Sequence, residues 1–449
     1  MDETNNIKFH PVTVADKPLF EYYILSSEEQ NCDFNFANIF CWSDTYRSEV
    51  AEVADFLVVR FDNGGAKSYM QPIGNGDKAL ILELLRKDAF AMRTPLRLYG
   101  LSTEWRELLE RNYPTEFAFD APRALCDYIY RAEDLATLPG RKYQPKRNHL
   151  NRFVARYDWY AEPLSTTNIK DCIELNNRWL NLREVGDMEL AEQQAIHRAF
   201  DNFGALGLRG LVLYVDGAPA AFSYGTPITQ KTFCTHIEKH DSEIEGAAVM
   251  INRLMAQSLE EEFEFINRED DLGLEGLRFA KMSYHPMLLL EKISALHLTE
   301  EQREMRAMWH DIFEDEMAEI DSFFVRHIDA MPLIHKENGE AVSMLHIVPL
   351  QMWGKRVAYI YAVATKPEYR GRGVATKLLK EALRRIDASG DFDVAALIPS
   401  SFDSKRLYEK VGFVDTRSAM TFPDNDYLGT GSVAHDLAMV RECRARERE

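Results

Sequence analysis

The stretch VAYIYAVATKPEYRGRGVATKLL, residues 357–379, decides the fold of the C-terminal part of this chain. Its apolar, aromatic start predicts a β-strand, its basic centre predicts a loop, and its end predicts a helix. Arg370, Gly373 and Ala375 fit the spacing R/Q-x-x-G-x-G/A. Backbone N–H groups at this spacing converge at the positive end of a helix, where anions bind. The sequence therefore predicts a pyrophosphate site formed by Arg370, Gly371, Arg372, Gly373, Val374 and Ala375.

Two common phosphate loops are excluded, since neither Gly-Lys-Ser/Thr nor GxGxxG is present here. An ordinary strand-to-helix turn with surface arginines stays open as an alternative. The pattern, with PEYRGRG ahead of the helix, resembles the GNAT family of acyl-CoA-dependent N-acyltransferases. The resemblance implies that the loop binds the pyrophosphate of coenzyme A.

A second segment, SFDSKRLYEKVGFV at residues 401–414, resembles the other signature of that family. Gly412 suits a left-handed helix end, and the next strand begins at Phe413. The resemblance implies that Tyr408 protonates the departing CoA thiolate. Ser401 and Ser404 stand where the family has Asn and Ala, and they are assigned to cofactor binding on position alone.

The resemblance also implies where the thioester lies. The backbone of Val363 would polarise its carbonyl, and Val363 and Thr365 would pair with the pantetheine amides. Tyr408 is the candidate general acid. The general base is not identified. A proton relay through Tyr359, Tyr361 or the acidic segment 313–321 stays open, and Glu368 is interpreted as structural.

Composition favours a cytoplasmic enzyme of two or three domains. The chain has 449 residues, six scattered cysteines and no apolar run of the roughly 18 residues that a membrane span needs. The polar start MDETNNIKFH does not predict a signal peptide. The net charge of −19 disfavours a broad nucleic-acid surface, and about −15 of it lies in the first 300 residues.

A domain boundary is expected near residues 295–299, where the charge density changes. Thr299 and Gln302 predict a capping box at the start of a helix over about 300–314. A second helix is expected over about 316–328. We therefore assign residues 298–449 to a GNAT-like acyltransferase domain.

Residues 1–297 carry a resemblance of their own. Three segments, at 33–42, 127–153 and 266–286, are similar to bacterial proteins related to the C-terminal domain of phosphatidylglycerol lysyltransferase. That resemblance implies two GNAT-like halves, placed at about 1–140 and 141–297. The predicted fold is α/β, with three consecutive GNAT-like units, each a mixed sheet flanked by helices.

Several features of the N-terminal region allow two interpretations. The basic run RKYQPKRNHLNRF at 141–153 could bind phosphates or balance nearby acids. Arg278, Lys281 and Tyr284, on an expected strand and loop, could bind an anionic substrate or form structural contacts.

A metal is not predicted. His236 and His240 would share a helix face, but their surroundings predict a strand, and no third ligand is evident. The counterpart of the pyrophosphate loop in the second half, residues 245–248, lacks arginine, so no CoA is expected there.

The sequence thus predicts an N-acyltransferase that uses acetyl-CoA or another acyl-CoA, without a metal, on a small-molecule or peptide amine. Direct attack would need no covalent enzyme intermediate. Two alternatives stay open. One is an aminoacyl-tRNA-dependent transferase centred on residues 1–297, with tRNA as a partner that the negative charge disfavours. The other is a non-catalytic CoA-binding scaffold. The acceptor, the acyl chain length and the oligomeric state are not predicted.

Overall fold

The computed structural model describes residues 7–443 apart from residues 26, 182–184, 401, 421–427 and 429–436. The chain forms two compact units. The first comprises Met1–Glu107 and Ala121–Ser294, and the second comprises Leu108–Asp120 and Ala295–Glu449. The division of residues 1–297 into halves near residue 140 stays a prediction.

The first sheet is built by the N-terminal residues. Up to residue 120 the elements are β1 (His10–Pro11), α1 (Lys17–Phe20), α2 (Phe36–Cys41), α3 (Ser43–Tyr46), β2 (Glu49–Val53), β3 (Phe56–Asn63), β4 (Ala66–Met70), β5 (Ile73–Gly74), α4 (Lys78–Ala91), β6 (Arg97–Leu101), α5 (Thr103–Asn112) and β7 (Phe117–Asp120). Within the first unit its strand order is β1-β2-β3-β4-β6, with β5 on β3. Neighbours are antiparallel except β4 and β6, a parallel pair between which the chain forms α4.

The second sheet follows the same scheme. Its part of the chain forms β8 (Asp127–Arg131), α6 (Ala132–Thr137), α7 (Gln144–Arg156), β9 (Trp159–Pro163), α8 (Ile169–Asn181), α9 (Asp187–Asp201), α10 (Phe203–Leu206), β10 (Arg209–Val215), β11 (Ala218–Pro227), β12 (Thr232–His240), α11 (Ala247–Gln257), β13 (Phe265–Asn267), α12 (Glu275–Met282) and β14 (Leu288–Leu290). The strand order is β14-β8-β13-β12-β11-β10-β9. Only β12 and β13 are parallel, and α11 lies between them in the chain.

The third sheet belongs to the second unit. From residue 293 the elements are β15 (Ile293–His297), α13 (Glu300–Phe313), α14 (Met317–Arg326), β16 (Met331–Glu337), β17 (Glu340–Met352), β18 (Lys355–Thr365), α15 (Val374–Ser389), β19 (Val394–Leu397), α16 (Phe402–Glu409), β20 (Val414–Ala419) and β21 (Leu437–Glu442). The order of the sheet is β16-β17-β18-β19-β21-β20, and only β18 and β19 run parallel.

Local sequence explains the elements around the predicted loop. The capping box is confirmed, since the Thr299 hydroxyl accepts from the N–H of Gln302 at 3.2 Å, and the Gln302 side chain accepts from Thr299 at 2.9 Å. Helix α15 buries one face on the sheet through Val374, Leu378, Leu379, Ala382, Leu383 and Ile386. Each buried leucine contributes about 2 kcal/mol.

Each of the three sheets thus has antiparallel strands followed by one helix and one parallel strand. The predicted fold class, α/β with three consecutive units of mixed sheet and helices, is confirmed. Among the described residues, none of the helices is long and apolar enough to cross a bilayer.

Candidate active site

The loop before α15 is shaped by two glycines. Gly371 and Gly373 both have left-handed backbones, with φ of 76° and 78°, and Gly373 is the N-cap of α15. Glycine adopts this conformation at no steric cost. No heavy atom of the described residues lies within 4 Å of where a Cβ would stand at either glycine, and no described side chain caps the helix. The first N–H groups of α15 are therefore accessible to a ligand.

Two arginines give this loop its charge. Arg370 and Arg372 are exposed, and the first turn of α15 holds no acidic residue. The Arg370 Nε donates to the carbonyl of Thr365 at 3.1 Å, and the Arg372 guanidinium lies 5.0 Å from the ring centre of Tyr369. The helix dipole and these charges together favour an anion.

Strand β18 separates from β19 just before the loop. It runs from Lys355 to Thr365, but its parallel pairing with β19 is limited to Val357–Tyr359. A bulge follows, because the pairing to β17 shifts register between Met344 and His346, and Ala362 takes a φ of 50°. The backbone of residues 360–365 therefore has no strand partner on the β19 side among the described residues. Backbone N–H and C=O groups on this side need hydrogen-bond partners, and an extended ligand can supply them.

The two residues predicted to contact pantetheine lie on this segment. Val363 directly follows the left-handed Ala362 and is half-buried. The Thr365 hydroxyl lies 2.9 Å from the Ser343 hydroxyl. The Thr365 carbonyl accepts from the Arg370 side chain. The Thr365 carbonyl oxygen therefore already accepts one hydrogen bond from Arg370, and a pantetheine amide that pairs through it would share that oxygen.

Tyr408 lies on α16 and is 6% exposed. Its ring packs edge-on against Phe413, with ring centres 6.3 Å apart. None of the described residues hydrogen-bonds its hydroxyl. Burial raises the pKa of Tyr408 to about 12, so the phenol stays protonated at neutral pH. Ser404 is half-buried one turn earlier on the same helix, whereas Ser401 lies outside the described residues.

Three of the expected proton-relay residues are engaged in other contacts. The Tyr359 hydroxyl donates to the carbonyl of Leu428 at 2.8 Å. Within the acidic segment, Asp321 is buried and pairs with the Arg306 guanidinium, whose terminal nitrogen lies 2.8 Å from the carboxylate. Asp315 accepts from the Trp309 indole at 2.8 Å. These two carboxylates therefore serve structural contacts.

His346 is a residue that the sequence analysis missed. It faces Tyr361 across the bulge, is 1% exposed, and packs against Trp309, Phe323 and Phe324. Neither ring nitrogen has a hydrogen-bond partner among the described residues. Burial, with a smaller effect from His327, lowers its pKa to about 3. A lone histidine in an apolar strand pattern carries no sequence signal, so only the structure identifies it.

The segment with Arg278, Lys281 and Tyr284 differs from expectation, because residues 275–282 form helix α12 rather than a strand and loop. The Arg278 Nε donates to Asp271 at 2.9 Å, and the Lys281 ammonium donates to the carbonyl of Arg268 at 2.6 Å. Tyr284 is 4% exposed, and the Lys146 ammonium lies 3.8 Å from its ring centre. These contacts favour the structural interpretation.

The basic run is partly engaged as well. Arg152, and Arg156 three residues beyond the end of the run, lie 2.9 and 3.7 Å from the Glu245 carboxylate. Lys142 lies 3.8 Å from Asp134. Desolvation, with a smaller effect from Arg268, lowers the pKa of Lys146 to about 8. Balancing of nearby acids thus accounts for Lys142 and Arg152 of this run.

Comparisons with known proteins agree with this geometry. Residues 26–295 match the family described as phosphatidylglycerol lysyltransferase, C-terminal, and residues 295–413 match the acetyltransferase (GNAT) family. A conserved protein of unknown function from Bacteroides thetaiotaomicron is 40% identical, with a TM-score of 0.64, over 65% of this chain and all of that one. The chain belongs to the phosphatidylglycerol lysyltransferase C-terminal family, and a GNAT domain follows.

Two further matches are more distant. The C-terminal domain of a putative lysylphosphatidylglycerol synthetase from Agrobacterium fabrum is 16% identical over 64% of this chain and 94% of that one, with a TM-score of 0.48. An uncharacterised protein from Mycoplasmoides gallisepticum is 25% identical over 207 residues, which are 43% of this chain. The match spans 62% of that curated relative's length.

Proposed function

We propose that the second unit transfers an acyl group, acetyl in the simplest case, from coenzyme A to an amine. The observation that carries this proposal is the open glycine loop at the N-terminus of α15, next to a strand that has left its neighbour. The loop offers uncapped N–H groups and two arginines to a pyrophosphate. The backbone N–H and C=O groups along the free edge of β18 can hydrogen-bond with the two amides of a pantetheine arm.

Amide formation at this site proceeds by direct attack of the amine on the thioester. The neutral amine attacks the thioester carbon, a C–N bond forms, the C–S bond breaks, and the proton lost by the amine ends on the sulfur. The N–H of Val363 polarises the carbonyl oxygen and stabilises the oxyanion. Holding thioester and amine in contact supplies most of the rate gain.

Tyr408 acts on the leaving group. With a pKa of about 12 the phenol is a weaker acid than a thiol, whose usual pKa is about 8.5. Its main contribution is a hydrogen bond to the forming thiolate, and the ammonium of the intermediate supplies the proton that sulfur finally keeps. Loss of the hydroxyl then lowers kcat and leaves CoA affinity intact.

Release of CoA thiol from acetyl-CoA, measured against a panel of primary amines, tests this proposal. Amine-dependent release that falls in Tyr408→Phe supports it. Binding of acetyl-CoA without release for any amine would favour the scaffold function instead.

A second candidate function rests on one observation in the first unit. Asp33 leaves 45% of its side chain exposed, yet desolvation raises its pKa. Partial exposure and desolvation are both expected if Asp33 lines a recess in the surface. Asp270 adds a carboxylate whose pKa desolvation raises to about 6. The Lys292 ammonium lies 3.3 Å from both carboxylates and 2.9 Å from Asp127, so the three ionised acids exceed this one cation. A net negative recess suits the amino group of an aminoacyl ester, and aminoacyl-tRNA is the donor to test there.

Loss of labelled amino acid from aminoacyl-tRNA, compared between the natural protein and Asp33→Asn, tests this candidate. Transfer that depends on Asp33 would support aminoacyl chemistry in the first unit. Equal hydrolysis with and without protein would refute it.

A further inference from the structure

Two neighbouring strands of the first unit bring a cysteine, a histidine and a glutamate together. Cys234 and His236 lie two residues apart on β12, where the pairing with β11 shifts register and leaves His236 without a partner residue on that strand. Both side chains contact Glu269, which follows the parallel strand β13. The Cys234 sulfur lies 3.5 Å from the Glu269 Oε1, and the His236 Nδ1 lies 3.1 Å from it. All three potential ligand atoms lie within 4.8 Å of one another. Glu269 is a possible ligand that the sequence did not reveal.

Hydrogen bonds fix the proton of the His236 ring. The Asn35 amide is oriented by two backbone groups: its oxygen accepts from the N–H of Ala37 at 2.8 Å, and its nitrogen donates to the carbonyl of Pro227 at 3.0 Å. The Thr226 hydroxyl, 3.0 Å from that Asn35 oxygen, must therefore donate to it. The Thr226 oxygen is left to accept, and the His236 Nε2, 2.8 Å away, must carry a proton and donate.

The other nitrogen of the ring then needs a positive partner. In neutral His236 the Nδ1 presents a lone pair to a Glu269 oxygen that also accepts from the Asn38 amide at 2.8 Å. Two acceptors 3.1 Å apart repel unless a proton or a metal cation lies between them. The Nε2–H bond to Thr226 and the Asn38 bond to Glu269 are the outer contacts that typically orient metal ligands.

The surroundings favour a cation. Cys234 is fully buried, and the His236 side chain is 6% exposed, whereas Glu269 is 28% exposed and gives access from solvent. A divalent cation would displace the thiol proton and offset the negative charge of the Glu269 carboxylate.

We propose that Cys234, His236 and Glu269 bind one zinc ion, through Sγ, Nδ1 and a carboxylate oxygen. In a tetrahedral zinc site, sulfur and oxygen ligands stand about 3.5 Å apart, and nitrogen and oxygen ligands about 3.3 Å apart. The observed distances to the Glu269 Oε1, 3.5 Å from the Cys234 Sγ and 3.1 Å from the His236 Nδ1, fit these ligand-to-ligand distances. Three protein ligands leave the fourth position to water or substrate, as in catalytic zinc sites.

Two measurements on the purified full chain test this proposal. The first is its metal content, and the second is a titration with Co²⁺ after a chelator has removed bound metal. We expect about one ion per chain and a thiolate-to-cobalt charge-transfer band. Cys234→Ser should abolish the band. Cys172→Ser is the matched control, because Cys172 is equally buried in the same unit and outside the cluster.

Glu269→Gln keeps the shape of the partly exposed ligand, so it tests the site even if the cysteine variant does not fold. We expect it to weaken Co²⁺ affinity at least about tenfold, with an unchanged circular dichroism spectrum. Absence of bound metal after loading, or a charge-transfer band that persists in Cys234→Ser, would overturn the proposal and leave His236 and Glu269 as an ion pair.

Discussion

Gly373 and Gly246 hold the same place in two sheets. Each is a left-handed N-cap, with φ of 78° and 90°, before the helix between two parallel strands. Their surroundings differ. A Cβ at Gly373 would meet nothing within 4 Å, whereas one at Gly246 would lie 3.1 Å from the Phe153 Cβ and 3.2 Å from the His149 carbonyl oxygen. In the second sheet, residues of the chain itself fill the space beside this glycine. In the third sheet the corresponding space is open.

Replacement of Gly373 tests that open space. Gly373→Ala places a methyl group in the loop and forces alanine into a left-handed backbone, which costs about 1 kcal/mol. We expect acetyl-CoA affinity to fall at least about tenfold. Gly390→Ala is the control, since Gly390, with φ of 71°, ends the same helix and carries the same backbone cost. Equal affinities of the two variants in calorimetry would contradict this role for Gly373.

Removal of the Tyr408 hydroxyl tests the leaving-group step. We expect Tyr408→Phe to lower kcat about a hundredfold, because the hydrogen bond to the forming thiolate is lost, and to leave the Kd of acetyl-CoA unchanged. The hydroxyl has no described partner, so stability should hold. Tyr359→Phe is the comparison, because it loses the bond to Leu428 and should cost about 1 kcal/mol of stability. An unchanged kcat in Tyr408→Phe would remove Tyr408 from the mechanism.

His346 predicts a dependence of stability on pH. Its pKa is about 3 in the folded protein and near 6.5 in the unfolded chain, so the unfolded state binds more protons between these values. Its contribution to the free energy of unfolding is complete above pH 6.5 and is lost as pH falls toward 3. The loss between pH 7 and pH 5 is about 2 kcal/mol.

His346→Leu removes this titration. We expect the variant to gain stability relative to the natural protein as pH falls, measured by urea unfolding near pH 7 and pH 5. Taking the difference between the two proteins cancels the other titrating groups. A difference that stays constant with pH would show that His346 is not held neutral by burial.

Lys292 stabilises the first unit through three carboxylates, one of which is fully buried. Its ammonium lies 2.9 Å from Asp127 and 3.3 Å from both Asp33 and Asp270, and its side chain is 6% exposed. Lys292→Met leaves Asp127, which is fully buried, without this cation. We expect a loss of about 3–5 kcal/mol in urea unfolding. Lys231→Met, which breaks an exposed pair with Glu28, should have no measurable effect.

Sequence reasoning succeeded where the evidence is contiguous. The strand, the glycine loop and α15 lie within residues 355–389, and turn chemistry with helical periodicity specifies each of them. It failed for α12, because that helix exposes Phe279 and Met282 and buries Lys281, the reverse of the usual pattern. Glu269 was missed as a neighbour of His236 because strand pairing alone brings them together.

The binding of acetyl-CoA to the glycine loop is the central claim, and calorimetric titration of the double variant Arg370→Glu/Arg372→Glu tests it most directly. The matched control is Arg384→Glu/Arg385→Glu, on the exposed face of the same helix, where both arginines pair with Glu381. We predict binding by the natural protein and by the control, and none by the loop variant. Equal binding by all three proteins, or none by the natural protein, would contradict the proposed acyl-CoA site.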